Sequence, residues 1–285
     1  MQENGQAGTF QSFDGINLYE HWWHPEREPR ASIILVHGLQ EHSGRYAGFA
    51  RFLSKNGFAV DALDLRGHGK SNGMTAFVRT FDDYVADLDT FCDRVKERLP
   101  GKPIFLMGFS MGGTVASLFA LKRQSALRGL ILSAPAIKLS RHVSNPLLEG
   151  ISGQAAKLFP KFPTKKMKSH HLSRDPEIVA AYDKDPLVCR RGVLLKTGAE
   201  FVKAMKYIQS RMGDLRLPLL IVHGTEDKLV DKIGSQWLHD RVSCGDRSLK
   251  LYDGFFHEVI HDVGGEQVQQ DIRAWLDSHI RSDDR

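Results

Sequence analysis

Three residues of this chain have the types and the order that acyl transfer through a covalent intermediate requires: Ser110, Asp227 and His257. Ser110 lies in Gly108-Phe109-Ser110-Met111-Gly112-Gly113. The pattern G-x-S-x-G alone is weak and arises by chance in roughly one chain of this length in ten. Here it follows an apolar, strand-like run and opens a helix-like one, which is the context of a strained turn that presents a nucleophile. Glycines flank such a turn because a Cβ would collide with neighbouring backbone. A serine hydroxyl needs an adjacent base, and the base needs a group to orient it. The order serine, acid, histidine is that of one known triad arrangement. Asp227 follows a late apolar run and is the expected acid, with Asp231 as its rival. His257 follows the last strand-like run and the turn Asp253-Gly254, with His261 as its rival.

A tetrahedral intermediate also needs two N–H donors. Met111 N–H, next to the nucleophile, supplies one. The loop His37-Gly38-Leu39, after an early strand-like run, supplies the other through Leu39. His37 itself is expected to be structural. One competing motif stands beside the triad: His257-Glu258-Val259-Ile260-His261 spells H-E-x-x-H, a zinc-peptidase signature. That chemistry needs both histidines on one helix, and Gly254 before the motif with Gly264-Gly265 after it leave little room for one. No metal and no cofactor are expected.

These residues must be positioned by the elements around them. From Ala31 to about Pro135, strand-like runs at 32–36, 58–63, 104–108 and 130–133 alternate with helical patterns. One helix carries Val85, Leu88, Cys92, Val95 and Leu99 and stops at Pro100-Gly101; another spans Met111 to Lys122. Strands joined by single helices imply right-handed crossovers and a mostly parallel sheet. The rhythm breaks from about Ala136 to Leu215, a helical stretch with no clear strand. It resumes with strands at 219–222 and 248–252 and a closing helix carrying Val268, Ile272, Trp275 and Leu276. The expected division is a core of residues 1–135 and 216–285, interrupted by a helical cap at 136–215. Ligands of such sheets bind at the strand ends, where the motifs above fall.

Composition agrees with an ordinary globular chain: 285 residues, 41% hydrophobic and 26% charged. No run approaches the ~18 apolar residues of a membrane span. Residues 1–8 lack a signal-peptide pattern. The expectation is a cytoplasmic protein, with a processed secreted one as the alternative. Three distant cysteines suggest neither a disulfide framework nor a metal site. The net charge of +5 is too diffuse for nucleic acid, and nothing points to an obligate protein partner. If 146–159 is a helix, Leu147, Leu148, Ile151, Ala155, Leu158 and Phe159 share a face, with Lys157, Lys161, Lys165, Lys166 and Lys168 close by. Either that face packs on the core, or part of it touches a membrane whose anionic lipids attract the lysines.

Several segments together resemble the monoacylglycerol lipase and lysophospholipase-like family of α/β-hydrolases. They are His37-Gly38-Leu39-Gln40-Glu41-His42-Ser43-Gly44-Arg45-Tyr46, Asp64-Leu65-Arg66-Gly67-His68-Gly69-Lys70-Ser71, the Ser110 turn, and Thr225-Glu226-Asp227-Lys228-Leu229-Val230-Asp231. Leu172-Ser173-Arg174 and the stretch from Tyr182 to Arg190 are similar to the family's cap. The resemblance implies an α/β-hydrolase fold with an inserted helical cap and cofactor-free hydrolysis of a lipid ester. The substrate implied is a monoacylglycerol, cleaved to glycerol and fatty acid. It carries over Ser110, Asp227 and His257 as the triad and Leu39 and Met111 as oxyanion donors. Lysophospholipases and plant esterases share most of these motifs. The departure is a more basic cap between Lys157 and Arg174, which bears on the head group accepted.

Overall fold

The computed structural model describes residues 5–143, 155–164 and 166–280. Eight strands form one sheet: β1 (Gln6–Gln11), β2 (Asn17–Trp23), β3 (Ala31–Val36), β4 (Phe58–Leu63), β5 (Ile104–Phe109), β6 (Gly129–Ser133), β7 (Leu219–Gly224) and β8 (Arg247–Tyr252). Their order is β1-β2-β4-β3-β5-β6-β7-β8, and β2 alone runs against the other seven. The central strands are buried along their whole length. Both faces are covered, so nothing selects polar residues on alternate positions. In β3, Ile34 and Val36 join the core on one face, while Ile33 and Leu35 join the core on the other.

The first of these cores lies under α2 (Phe81–Arg98) and α3 (Met111–Arg123), and the second under α1 (Ala47–Lys55) and the closing helix α7 (Gly265–Ile280). Helix α2 buries Val85, Leu88, Cys92 and Val95, the stripe its spacing predicts, and Leu99 caps its C-terminus outside helical geometry. Between β6 and β7 the chain forms an insert carrying α4 (Pro176–Lys184) and α5 (Leu195–Arg211); α6 (Lys232–Arg241) follows β7. Helix α5 lies on α2 and α3, and the rings of Phe81 and Phe201 stack at 5.2 Å. Asp175 caps α4, accepting the N–H of Glu177, and Pro176 fills the first helical position.

The structure adds β1 and β2, which the sequence patterns do not announce. They form an antiparallel ribbon on the sheet edge with a mixed, half-polar face. The strand at 58–63 has the predicted bounds, and the other five extend theirs by one or two residues. Parallel register aligns Val36 with Leu63 and with Gly108, so the loops after β3, β4 and β5 emerge side by side. Of the proposed 146–159 helix, 146–154 lie outside the described residues, as does Lys165; residues 155–158 are helical. No helix of the described residues is long and apolar enough to cross a membrane.

Candidate active site

Ser110 sits between the last residue of β5 and the first of α3, with φ 51° and ψ −116°. A non-glycine residue there is strained, and the surroundings must hold it. They do so with backbone: Ser110 N–H donates to Ser133 O at 3.0 Å, and Ala136 N–H donates to Ser110 O at 3.0 Å. The neighbouring glycines are required sterically. A Cβ on Gly108 would lie 2.4 Å from Gly112 O, and one on Gly112 would lie 2.3 Å from Val36 O.

Asp227 and His257, the expected acid and base, lie in contact. His257 Nδ1 and Asp227 Oδ2 are 2.6 Å apart. Asp227 Oδ1 accepts N–H bonds from Leu229 at 2.8 Å and Val230 at 3.0 Å. His223 Nε2 flanks the same carboxylate at 3.2 Å, an arrangement the sequence reading missed. Burial opposes charge on Asp227, but the positive His257 beside it, with His223, holds its carboxyl far below the usual range. Burial likewise opposes charge on His257. The Asp227 carboxylate outweighs that, so the imidazole pKa is raised above its ordinary value. Asp231, the rival acid, instead caps α6 through Ile233 N–H and pairs with Lys138 at 2.6 Å. His261, the rival base, contacts Glu258 at 3.1 Å.

Ser110 and His257 line one cavity of about 720 Å³, together with Gly38 and Leu39. The loop after β3 abuts the nucleophile, since a Cβ on Gly38 would lie 3.3 Å from Ser110 Cβ. Met111 is buried at the first turn of α3. No acceptor among the described residues takes the N–H of Leu39 or of Met111. His37 is structural: Nδ1 donates to Gly38 O at 2.7 Å and Nε2 accepts Leu65 N–H at 2.9 Å. Burial lowers its pKa to about 4, so it is neutral and bridges the loops after β3 and β4.

The H-E-x-x-H residues do not share a helix; 257–261 run through turns. Glu258 receives both oxygens' bonds from Arg45 Nη2, each 2.7 Å. Arg45 Nε donates to Glu41 at 2.9 Å, and Glu41 accepts from Gly38 N–H at 2.6 Å and Tyr46 OH at 2.5 Å. Burial would raise the Glu258 pKa, but Arg45, aided by His261, lowers it to about 2. This buried ladder joins the Gly38 loop to the His257 loop. Sequence reasoning assigned it no role; the i,i+4 spacing of Glu41 and Arg45 was the one local hint. A second anchor is Asp262. It accepts Phe256 N–H at 2.7 Å, Arg174 N–H at 2.7 Å and Arg174 Nε at 3.0 Å. Leu172 O accepts Glu258 N–H at 2.8 Å. The insert also grips the loop after β3, through His42 with Asp185 at 2.8 Å and Cys189 N–H with Gln40 O at 3.0 Å.

A strained serine, a carboxylate-held imidazole and a shared cavity are the features that serine hydrolysis requires. The model of the family described as serine aminopeptidase, S33, matches residues 27–264. The chain belongs to this family. It is similar to a monoacylglycerol lipase of Mycolicibacterium smegmatis, 33% identical over 272 residues that cover 95% of this chain and 97% of the relative. It is similar to the monoglyceride lipase of Homo sapiens, 34% identical, covering 92% and 88% respectively. Among solved structures it resembles a monoacylglycerol lipase of Paleococcus ferrophilus, with TM-score 0.84, 29% identity, and 92% and 99% of the two chains covered. The S33 member described here is therefore an α/β-hydrolase acting on esters, with the mostly parallel sheet that its sequence implied.

Proposed function

We propose that this enzyme hydrolyses monoacylglycerols to glycerol and free fatty acid, with Ser110, His257 and Asp227 as the triad and residues 136–215 as a cap over it. The observation that carries the reading is the opening of Ser110 and the Asp227-held His257 into one cavity with largely apolar walls, among them Leu139, Met167, Phe201 and Val202. Such a wall suits an acyl chain. The likeness to lipases of this substrate class over nearly the whole chain supports the same head group. An aminopeptidase, by contrast, must seat a free ammonium. The two carboxylates lining this cavity, Glu41 and Glu258, are both held by Arg45.

With Nδ1 engaged by Asp227, His257 presents Nε2 as the base. It takes the proton of Ser110 as Oγ attacks the ester carbonyl. The oxyanion forms between the N–H groups of Leu39 and Met111, each worth about 2.7–4 kcal/mol when aimed at the developing charge. His257 returns the proton to the departing glycerol oxygen. Water then attacks the acyl-serine, giving its proton to His257, and the fatty acid leaves as Ser110 is reprotonated. No metal or cofactor enters these steps. Asp227 holds the tautomer and stabilises the imidazolium.

The insert also offers a membrane-facing surface. Leu158, Phe159 and Phe162 are 75%, 63% and 63% exposed, beside Lys157, Lys161, Lys166 and Lys168. Leu147, Leu148 and Ile151 of the proposed face lie outside the described residues. The reading is a cytoplasmic enzyme that touches bilayers peripherally through this patch. The deciding experiment is a panel of monoacylglycerols, triacylglycerols, lysophospholipids and short p-nitrophenyl esters. Monoacylglycerol must be preferred; equal rates on lysophosphatidylcholine or on unrelated esters would move the assignment to a lysophospholipase or a broad carboxylesterase.

A further inference from the structure

The charges lining the Ser110 cavity are unevenly satisfied. Its two carboxylates, the buried Glu41 and the largely covered Glu258, are matched to Arg45. Lys166, Lys168 and Lys228 line the same cavity, and none forms an ion pair among the described residues. Lys228 instead rests its ammonium 5.0 Å from the Phe256 ring centroid. His142 and His171 line the cavity beside them. Lys166, Lys168 and His142 are exposed, so this group stands at the solvent side, whereas Glu41 and Glu258 lie in the depth. Apolar chain neighbours of these cations line the same cavity: Met167, between Lys166 and Lys168 in the chain, and Leu229, after Lys228. Among the described residues, the mouth thus offers positive charge without an ion-pair partner beside an apolar-walled cavity of about 720 Å³.

We propose that this mouth binds an alkyl carboxylate anion, its head among Lys166, Lys168 and Lys228 and its chain directed inward along the apolar wall. Several cations around one opening attract an anion more than any one exposed charge does, and the low-dielectric wall beside them strengthens the attraction. The alkyl chain gains from burial what it would lose in water. A chain seated in this direction fills the space before Ser110, so the anion competes with ester. Under the function proposed above the anion is the enzyme's own product class; the binding site itself stands on the mouth's geometry and charge alone. No bond is made or broken, and the carboxylate binds ionised.

The test is calorimetric titration of the Ser110→Ala protein, without vesicles, using decanoate, decanol and decyl phosphate below their micelle concentrations. Decanoate is expected to bind at least about tenfold more tightly than decanol, with the advantage shrinking as salt rises. Lys166→Gln with Lys168→Gln should remove most of that advantage, and Lys228→Gln a further share, while decanol affinity holds. Equal binding of decanol and decanoate by the unmodified mouth overturns the proposal, as does an anion advantage that survives loss of all three lysines. Decyl phosphate binding tenfold better than decanoate would overturn the carboxylate assignment in favour of a phosphate head group. Monoacylglycerol turnover by the wild type is measured separately. Its absence alongside selective decanoate binding would sink the substrate reading alone, and turnover without anion selectivity would sink this proposal alone.

Discussion

The two sides of the catalytic cavity are built by opposite means. On the sheet side, the Ser110 turn is fixed by backbone packed against backbone, with no room for a Cβ at Gly108 or Gly112. On the insert side, side-chain links join two backbone bonds in the positioning: His42 with Asp185, Arg174 with Asp262, and the ring of Tyr182 4.8 Å from the Arg45 guanidinium, beside Leu172 O with Glu258 N–H and Gln40 O with Cys189 N–H. The first construction holds a strained nucleophile within a narrow geometry, as attack requires. The second leaves exposed apolar and cationic groups at the mouth, where a substrate must enter. Chemistry is placed on the stiff side and access on the adaptable one.

This contrast sets an order of expected effects. Ser110→Ala strikes the stiff side at its centre and should lower kcat by roughly 10⁶, as nucleophile removal does in a serine protease. Circular dichroism should show an unchanged fold, and a fluorophosphonate should no longer label the protein. Asp227→Asn should lower kcat by roughly 10⁴. It should also move the pH profile. In the wild type kcat/KM should rise with pH as His257 loses its proton, with an apparent pKa above the ordinary 6.5 because Asp227 favours the charged form. Without that carboxylate, burial dominates and the rising limb shifts to lower pH. A limb that stays in place means another group is titrating.

Glu258→Ala tests the ladder that joins the sides. Arg45 would keep Glu41 as a partner, so the change should cost less than the about 3–5 kcal/mol of a fully stranded buried charge, read as a lower denaturant midpoint. Activity per folded molecule should fall far less than in Asp227→Asn. The smallest structural effect belongs to the surface patch. Leu158→Ser with Phe159→Ser should change stability by less than about 0.5 kcal/mol. Rates on a soluble short-chain ester should hold, while rates on vesicle-borne monoacylglycerol fall several-fold. Equal loss on both substrates would mean the patch supports the fold rather than contacting lipid.

What was legible in the sequence follows the same divide. The central strands and the Ser110 turn are local matters: β-branched runs for strands buried on both faces, and glycines where backbones touch. Order along the chain then pointed to Asp227 and His257. Local pattern left Asp231 and His261 standing as rivals because all four residues lie in polar loops. Only the distances across the fold separate them. The β1–β2 ribbon was missed because its signal is diluted by polar residues that the structure uses; Glu20 on β2 is buried against Arg94 and Arg98 of α2. Glu258 was seen, but within a metal motif. Its partner Arg45 lies 213 residues away, and no spacing rule reaches so far.

Asp262 ties the insert to the His257 loop in a way that bears on engineering. Its carboxylate binds Phe256, just before His257, and Arg174, in the insert, at the same time. The seam between the two parts therefore does not run where the chain leaves the sheet. Recombining this enzyme with a foreign lid at the ends of β6 and β7 would discard Arg174 and leave a fully buried anion beside the base. A chimera joined after Arg174 would keep that pairing and inherit a positioned imidazole. The crossover worth choosing lies inside the insert, past the residue that already belongs to the active site.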